Sequence, residues 1–222
     1  GDPVKQASYY SQNGADEICF LDISASLEKR NTMLNIVRKT AEEVFIPLTV
    51  GGGISSIHNI RSLLKAGADK VSINSAAIIN QKIVQESSDH FGSQCIVVAV
   101  DVKKIENDWI VFSHGGTINT NINALEWLEK VQELGAGEIL LTSMDKDGTK
   151  SGFDIELLKV ATNILQIPVI ASGGVGAKEH FFEGVFEGGA SALLAASVFH
   201  FNEFSISDVK KYLKNENIEV RL

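Results

Sequence analysis

Short apolar runs rich in β-branched residues alternate along this chain with amphipathic stretches. The runs lack the strict apolar–polar alternation of a sheet with one wet face, so they read as strands covered on both faces and joined by crossover helices. Strands are predicted at Glu17–Ile23, Ile46–Val50, Lys70–Ile73, Cys95–Asp101, Glu138–Thr142, Pro168–Ala171 and Ala192–Ala195. Helices are predicted at about Pro3–Asn13, Arg30–Val44, Ser56–Ala66, Gln81–Phe91, Ala124–Leu134, Ile155–Leu165, Ala177–Glu187 and Ser205–Asn215. Gly14, Gly67, Gly135 and Gly188 follow four of these helices, where a left-handed cap is expected, and Pro47 and Pro168 mark the starts of strands. The rhythm breaks once, where Trp109-Ile110-Val111-Phe112 within Lys103–Thr120 predicts a small hairpin after the fourth strand.

The pattern also repeats. Gly14-Ala15-Asp16-Glu17-Ile18 answers Gly135-Ala136-Gly137-Glu138-Ile139, and Gly52-Gly53-Ile54 answers Gly173-Gly174-Val175, both at an offset of 121 positions. Ala66-Gly67-Ala68 answers Gly188-Gly189-Ala190, and Asn74-Ser75 answers Ala196-Ser197, at an offset of 122. Seven strands and eight helices in two similar halves predict an α/β fold, a (β/α)₈ TIM barrel built from two half-barrel repeats. An open doubly wound sheet leaves the repeat unexplained. The expectation is a single barrel domain over 1–222, with half-barrels at about 1–102 and 121–222 and the hairpin insertion at about 103–120. The chain opens on a helix, so the first strand and first βα loop, roughly 25 to 30 residues, are expected ahead of Gly1. A barrel with a gap would leave two strand edges unpaired.

In such barrels the chemistry lies at the carboxyl ends of the strands. Two of those ends carry glycine loops, Thr49-Val50-Gly51-Gly52-Gly53-Ile54 and Ala171-Ser172-Gly173-Gly174-Val175, whose bare backbone lets an anion approach unpaired N–H groups. Each alone is also an ordinary tight turn. Each is followed by a second polar strand end, Asn74-Ser75 or Ala196-Ser197, which sets two adjacent strands around one anion in each half. The reading is a substrate with a phosphate at both ends.

Asp101 closes the apolar run Ile96-Val97-Val98-Ala99-Val100, where a carboxylate is costly without a partner or a task. It is the candidate general acid or base, the alternative being a cap for the hairpin that follows. Asp22 ends its own run in the same way and would face the same cavity. Thr142 and the loop Met144-Asp145-Lys146-Asp147-Gly148-Thr149-Lys150 close the equivalent strand of the second half; Asp147-Gly148 is also a common turn signal. At the other ends of the strands stand Glu17, Lys70 and Glu138, which as bare sequence are ordinary strand-start charges.

Composition narrows the classes of function. The 222 residues are 44% hydrophobic and 22% charged, enough for one large core, and no run approaches the about 20 apolar residues of a membrane span. A net charge of −8 argues against nucleic-acid binding, which needs a basic face, so a phosphate must be held by local backbone donors. Cys19 and Cys95 lie at apolar runs without metal-ligand spacing, which predicts reduced thiols in a cytoplasmic protein. His58, His90, His114, His180 and His200 read as surface or packing residues, and no metal or cofactor is expected.

Phe20-Leu21-Asp22-Ile23, Pro47-Leu48-Thr49-Val50-Gly51-Gly52-Gly53-Ile54, Asp69-Lys70-Val71-Ser72-Ile73-Asn74-Ser75-Ala76-Ala77, Phe91-Gly92-Ser93-Gln94, Gly137-Glu138-Ile139-Leu140-Leu141-Thr142-Ser143-Met144-Asp145 and Asp147-Gly148-Thr149-Lys150-Ser151-Gly152 together resemble the cyclase subunit of imidazole glycerol phosphate synthase, of histidine biosynthesis. The resemblance covers essentially the whole chain. It implies a cyclase and lyase that uses ammonia from a glutamine amidotransferase partner, in a heterodimer. That ammonia would convert phosphoribulosyl-formimino-aminoimidazole carboxamide ribotide to imidazole glycerol phosphate and aminoimidazole carboxamide ribotide. It implies that Asp101 is one of two catalytic aspartates. The other belongs to the first strand and is expected outside these residues, which on this reading would leave the 222 residues alone impaired. Gly52, Gly53, Asn74 and Ser75 match one phosphate site; Ser172, Gly173, Gly174, Ala196 and Ser197 match the other; Thr142 and Asp147 match supporting polar residues, and Asp22, from its strand end alone, is read with them as substrate-binding. Glu17, Lys70 and Glu138 match a charged gate for ammonia. Two alternatives are the sister two-phosphate isomerase of the same pathway and a non-catalytic bisphosphate-binding regulator of an amidotransferase.

Overall fold

The computed structural model describes residues 2–21 and 27–222, and for 27–32 the backbone alone. The elements run α1 (Pro3–Gln12), β1 (Ile18–Leu21), α2 (Leu27–Glu43), β2 (Leu48–Gly51), α3 (Ile57–Ala66), β3 (Lys70–Ile73), α4 (Ser75–Ile79), α5 (Lys82–Phe91), β4 (Ile96–Ile105), β5 (Asp108–Ser113), β6 (Ile118–Asn123), α6 (Ala124–Glu133), β7 (Glu138–Ser143), α7 (Ile155–Ile164), β8 (Val169–Ser172), α8 (Glu179–Phe182), β9 (Ala192–Leu194), α9 (Ser197–His200) and α10 (Ile206–Asn215). Seven strands pair in parallel in the order β1-β2-β3-β4-β7-β8-β9, each joined to the next through at least one helix, with β5 and β6 antiparallel beside β4. This is the α/β arrangement of a TIM barrel.

Register sorts the side chains into two sets, because successive residues of a strand point to opposite faces. Val71, Ile73, Ile96, Val98, Val100, Ile139 and Leu141 face the helices and are 0–1% exposed. They pack with Val37, Ile60, Val84, Leu128, Val131, Leu157 and Ala161 from the helices into one continuous core. Burying each of the larger side chains contributes roughly 1.5–3 kcal/mol, which explains why short strands without polar alternation are stable here. The other set, paired across the strands as Thr49↔Lys70, Gly51↔Ser72, Ser72↔Val97, Val97↔Glu138, Leu140↔Ile170 and Thr142↔Ser172, lines the concave side. Lys70 on β3 reaches Glu17, just ahead of β1, and Glu138 on β7, each two strands away, so the sheet curves around this set.

Local chemistry sets the helix ends. Ser56 accepts the N–H of Asn59, Asn123 accepts those of Leu125 and Glu126, and Asp154 accepts that of Leu157. Ser205 and Asp208 form a reciprocal capping box. Gly67 ends α3 at φ 112°, and a Cβ there would lie 2.5 Å from Ala41 Cβ, so this turn needs glycine twice over.

Several boundaries differ from the sequence reading. The fourth strand does not end at Asp101 but continues to Ile105 and becomes the first arm of a three-stranded extension with β5 and β6, which runs to Asn123 instead of Thr120. Cys95 lies in a single 3₁₀ turn before that strand. Two short helices, α4 and α9, are absent from the sequence reading; they start two positions after β3 and three after β9, each opening on a serine of a candidate anion site. The stretch read as one helix over 177–187 is α8 followed by a wider turn at Glu183–Glu187. Residues 22–26 lie outside the described residues, and with them the candidate Asp22.

Candidate active site

Both glycine loops adopt the backbone shape that only glycine enters cheaply. Gly52 and Gly53 have φ 99° and 61°, and Gly173 and Gly174 have φ 90° and 100°. The strands that follow end alike. Asn74 has φ −121° and ψ −96° and leads into α4, which opens on Ser75; Ala196 has φ −120° and ψ −65° and leads into α9, which opens on Ser197. Residues matched by the offset of the sequence repeat thus share local geometry.

The two loops differ in cover. Gly52 and Gly53 are exposed, while Gly173 and Gly174 are buried under the segment after β7. Gly152 donates its N–H to the Gly174 carbonyl at 2.8 Å. A Cβ on Gly174 would lie 2.1 Å from the Gly152 oxygen, and one on Gly173 would lie 2.9 Å from the Ser143 oxygen and 3.3 Å from Asp147 Cβ. Asp147 is exposed and its N–H is bonded to the Ser143 carbonyl at 2.9 Å. On the first side the tip of the β5–β6 hairpin instead reaches the start of α4, where the His114 N–H donates to Ser75 Oγ at 2.9 Å.

Asp101 stands between these two groups. Its strand neighbours are β3, which Asn74 directly follows, and β7, where Thr142 is its register partner and is itself paired with Ser172 on β8. Asn74 Nδ2 donates to Asp101 Oδ2 at 2.8 Å. Burial raises the Asp101 pKa above the usual carboxylate range; the Asn74 hydrogen bond opposes this, and the nearby charge of Asp147 adds to it. A half-buried carboxyl at the mouth of a barrel, shifted toward neutrality, is suited to exchanging protons. Among the described residues Asn74 Oδ1 is buried without a hydrogen-bond partner, an acceptor that a bound molecule would satisfy.

At the opposite end of the same strands, Lys70 Nζ lies 2.7 Å from Glu138 Oε1 and 3.0 Å from Glu17 Oε2. Burial alone would lower the Lys70 pKa, but hydrogen bonds and attraction from Glu138 and Glu17 outweigh it and leave the value raised. One cation therefore holds two carboxylates from strands on either side. Above it the concave side carries Thr49, Ser72 and Val97, all 5% exposed or less, and Cys19, whose thiol pKa burial pushes up to about 12, aided by the Glu17 charge and opposed by Lys70.

The structure thus brings together Gly52, Gly53, Asn74, Ser75, Asp101, Thr142, Asp147, Ser172, Gly173, Gly174, Ala196 and Ser197 at one face, and Glu17, Lys70 and Glu138 at the other. Two contributions escaped the sequence reading, which had placed His114 and His180 among surface and packing residues. His114 meets Ser75, at the start of α4, through its backbone, which no side-chain pattern announces. His180 Nδ1 accepts the N–H groups of Gly176 and Ala177, and its spacing of four and three positions from them is a usable capping signal.

The histidine biosynthesis protein family matches residues 1–205. The HisF subunit of imidazole glycerol phosphate synthase from Hydrogenobaculum sp. (strain Y04AAS1) is 56% identical over 223 residues, covering 100% of this chain and 88% of that protein. The HisF subunits from Clostridium botulinum strains Kyoto (Type A2) and 657 (Type Ba4) are each 57% identical over 224 residues, again covering 100% of this chain and 88% of theirs. Identity at this level along the entire chain, over a barrel with a glycine loop in each half, means that the chain belongs to the histidine biosynthesis protein family, among its HisF cyclase subunits.

Proposed function

We propose that this protein carries out the cyclase step named for its relatives on a substrate that spans the barrel mouth, one phosphate in each glycine loop. The N–H groups around Gly52 and Gly53, with Asn74 and Ser75, take one phosphate. Those of Gly173 and Gly174, with Ser172, Ala196 and Ser197, take the other. The protein's net charge of −8 offers no general attraction for such a ligand, so these local donors carry its binding.

Ammonia comes from a glutaminase subunit docked at the end that carries Glu17, Lys70 and Glu138. It passes along the concave side and adds to the substrate between the two phosphates, where ring closure and cleavage follow to give imidazole glycerol phosphate and aminoimidazole carboxamide ribotide. Addition, closure and cleavage each require protons to move, and Asp101 moves them as general acid and base. Asn74 orients it, while Thr142 and Asp147 border the substrate. The protein acts in the cytoplasm; among the described residues no helix is long and apolar enough to cross a membrane.

The observation that carries this reading is the position of Asp101, raised in pKa and midway between two equivalent glycine loops. The test is Asp101→Asn in the full-length protein, assayed with substrate and ammonium salt. Turnover is expected to fall roughly 10²–10⁴-fold with substrate affinity nearly unchanged. A matching loss of affinity would assign Asp101 to structure instead.

A further inference from the structure

The second glycine loop divides into two parts. Among the described residues the N–H groups of Gly174 and Val175, beyond the end of β8, have no protein acceptor. Those of Gly176 and Ala177 both point at one atom, His180 Nδ1, at 3.1 and 3.2 Å. An imidazole nitrogen that accepts is unprotonated, so this ring carries its proton on Nε2 and is neutral. The ring also lies against the segment that covers the loop: a Cβ on Gly152 would be 3.3 Å from His180 Cδ2, and it is Gly152 that donates to the Gly174 carbonyl.

Backbone donors at such a place are usually capped by Ser, Thr, Asp or Asn. A carboxylate would satisfy the two N–H groups well, but it would set a full negative charge beside a loop built to receive a dianion. A neutral imidazole lone pair satisfies the same donors without that charge. We propose that His180 is a positioning residue for the second phosphate: it fixes Gly176 and Ala177, leaves Gly174 and Val175 free for the anion, and does so because it is uncharged. This rests on the phosphate reading of that loop given above.

The test uses ¹⁵N-labelled full-length protein, titrated with inorganic phosphate and followed at the amides of Gly173, Gly174 and Val175, with Gly52 and Gly53 as the control loop. In the unsubstituted protein both sets are expected to shift, and the His180 ring nitrogens are expected to show an unprotonated Nδ1. His180→Asp keeps an acceptor and is expected to stay folded, yet to weaken phosphate binding at the second loop on the order of tenfold at low salt, with a smaller effect at high salt and no change at Gly52 and Gly53. His180→Asn, a neutral acceptor, is expected to restore most of the affinity. Equal phosphate affinity in His180→Asp and the unsubstituted protein, or a protonated Nδ1, would overturn the role given to His180 while leaving the site intact. Absence of any shift at Gly173 to Val175 in the unsubstituted protein would overturn the phosphate reading of that loop, and this inference with it.

Discussion

Asn74, just past the end of β3, and Asp101, on the neighbouring parallel strand β4, are 27 positions apart in sequence and meet through a 2.8 Å hydrogen bond from amide to carboxylate. The amide favours the charged carboxylate, against the burial that disfavours it. Asn74→Leu removes the donor, so the Asp101 pKa is expected to rise further. In a pH profile of kcat/KM with ammonium salt as nitrogen source, the acid limb should move to higher pH. An unmoved limb with reduced turnover would mean that Asn74 serves the substrate alone.

Asp101 also trades stability for chemistry. Its folded pKa is raised, so the folded state holds its proton more tightly than the unfolded chain does. The resulting penalty is absent below the unfolded pKa and fully present above the folded one. Asp101→Asn should therefore raise the Tm at pH 7, and the gain should vanish as the pH falls toward the ordinary carboxylate range of about 4. A gain independent of pH would point to packing instead of charge.

Lys70 is the common partner of Glu17 and Glu138, with side-chain exposures of 14%, 45% and 19%. Lys70→Met leaves two carboxylates facing each other. Because Glu17 is half in water, the expected loss is about 1–3 kcal/mol, below that for a fully buried pair. Denaturant melts measure this. In the same variant, turnover driven by a glutaminase partner should drop more than turnover driven by ammonium salt. Equal losses would argue against a gate at this end.

Glycine substitutions separate the cost of conformation from the cost of space. Gly14→Ala meets nothing within 4 Å among the described residues and is strained only by φ 93°, about 1 kcal/mol. Gly174→Ala meets the Gly152 oxygen at 2.1 Å as well as a φ of 100°, and should cost several times more and displace the cover of the second loop. Urea unfolding of the two variants tests the ratio.

Cys19, with its thiol pushed up to about 12 by burial, should resist a thiolate-selective reagent at pH 8 until the protein unfolds. Peptide mapping of the labelled protein checks this site directly.

How far the sequence carried the reading depended on range. Ile96 to Val100 or Ile139 to Leu141 declared themselves as strands because helices cover their outward face and no polar alternation is needed. α4 and α9 left no trace, since five and four residues are too few to show a period of 3.6. The continuation of β4 was hidden by Lys103 and Lys104, whose polar character reads as loop. Their strand leaves the barrel there and no longer needs apolar faces. The glycine loops were legible because they repeat, but the Asn74 to Asp101 bond was not, because parity and register bring it about and neither is written locally.

Strand β3 alone carries Lys70 at one end and leads to Asn74 at the other, with Ser72 facing the concave side between them. Four residues at about 3.3 Å each make a ruler of about 13 Å between the charged end and the chemistry. A single inserted residue would turn one of the two ends to the wrong side of the sheet. The depth of this barrel from its floor to its mouth is thereby held to a whole even number of residues.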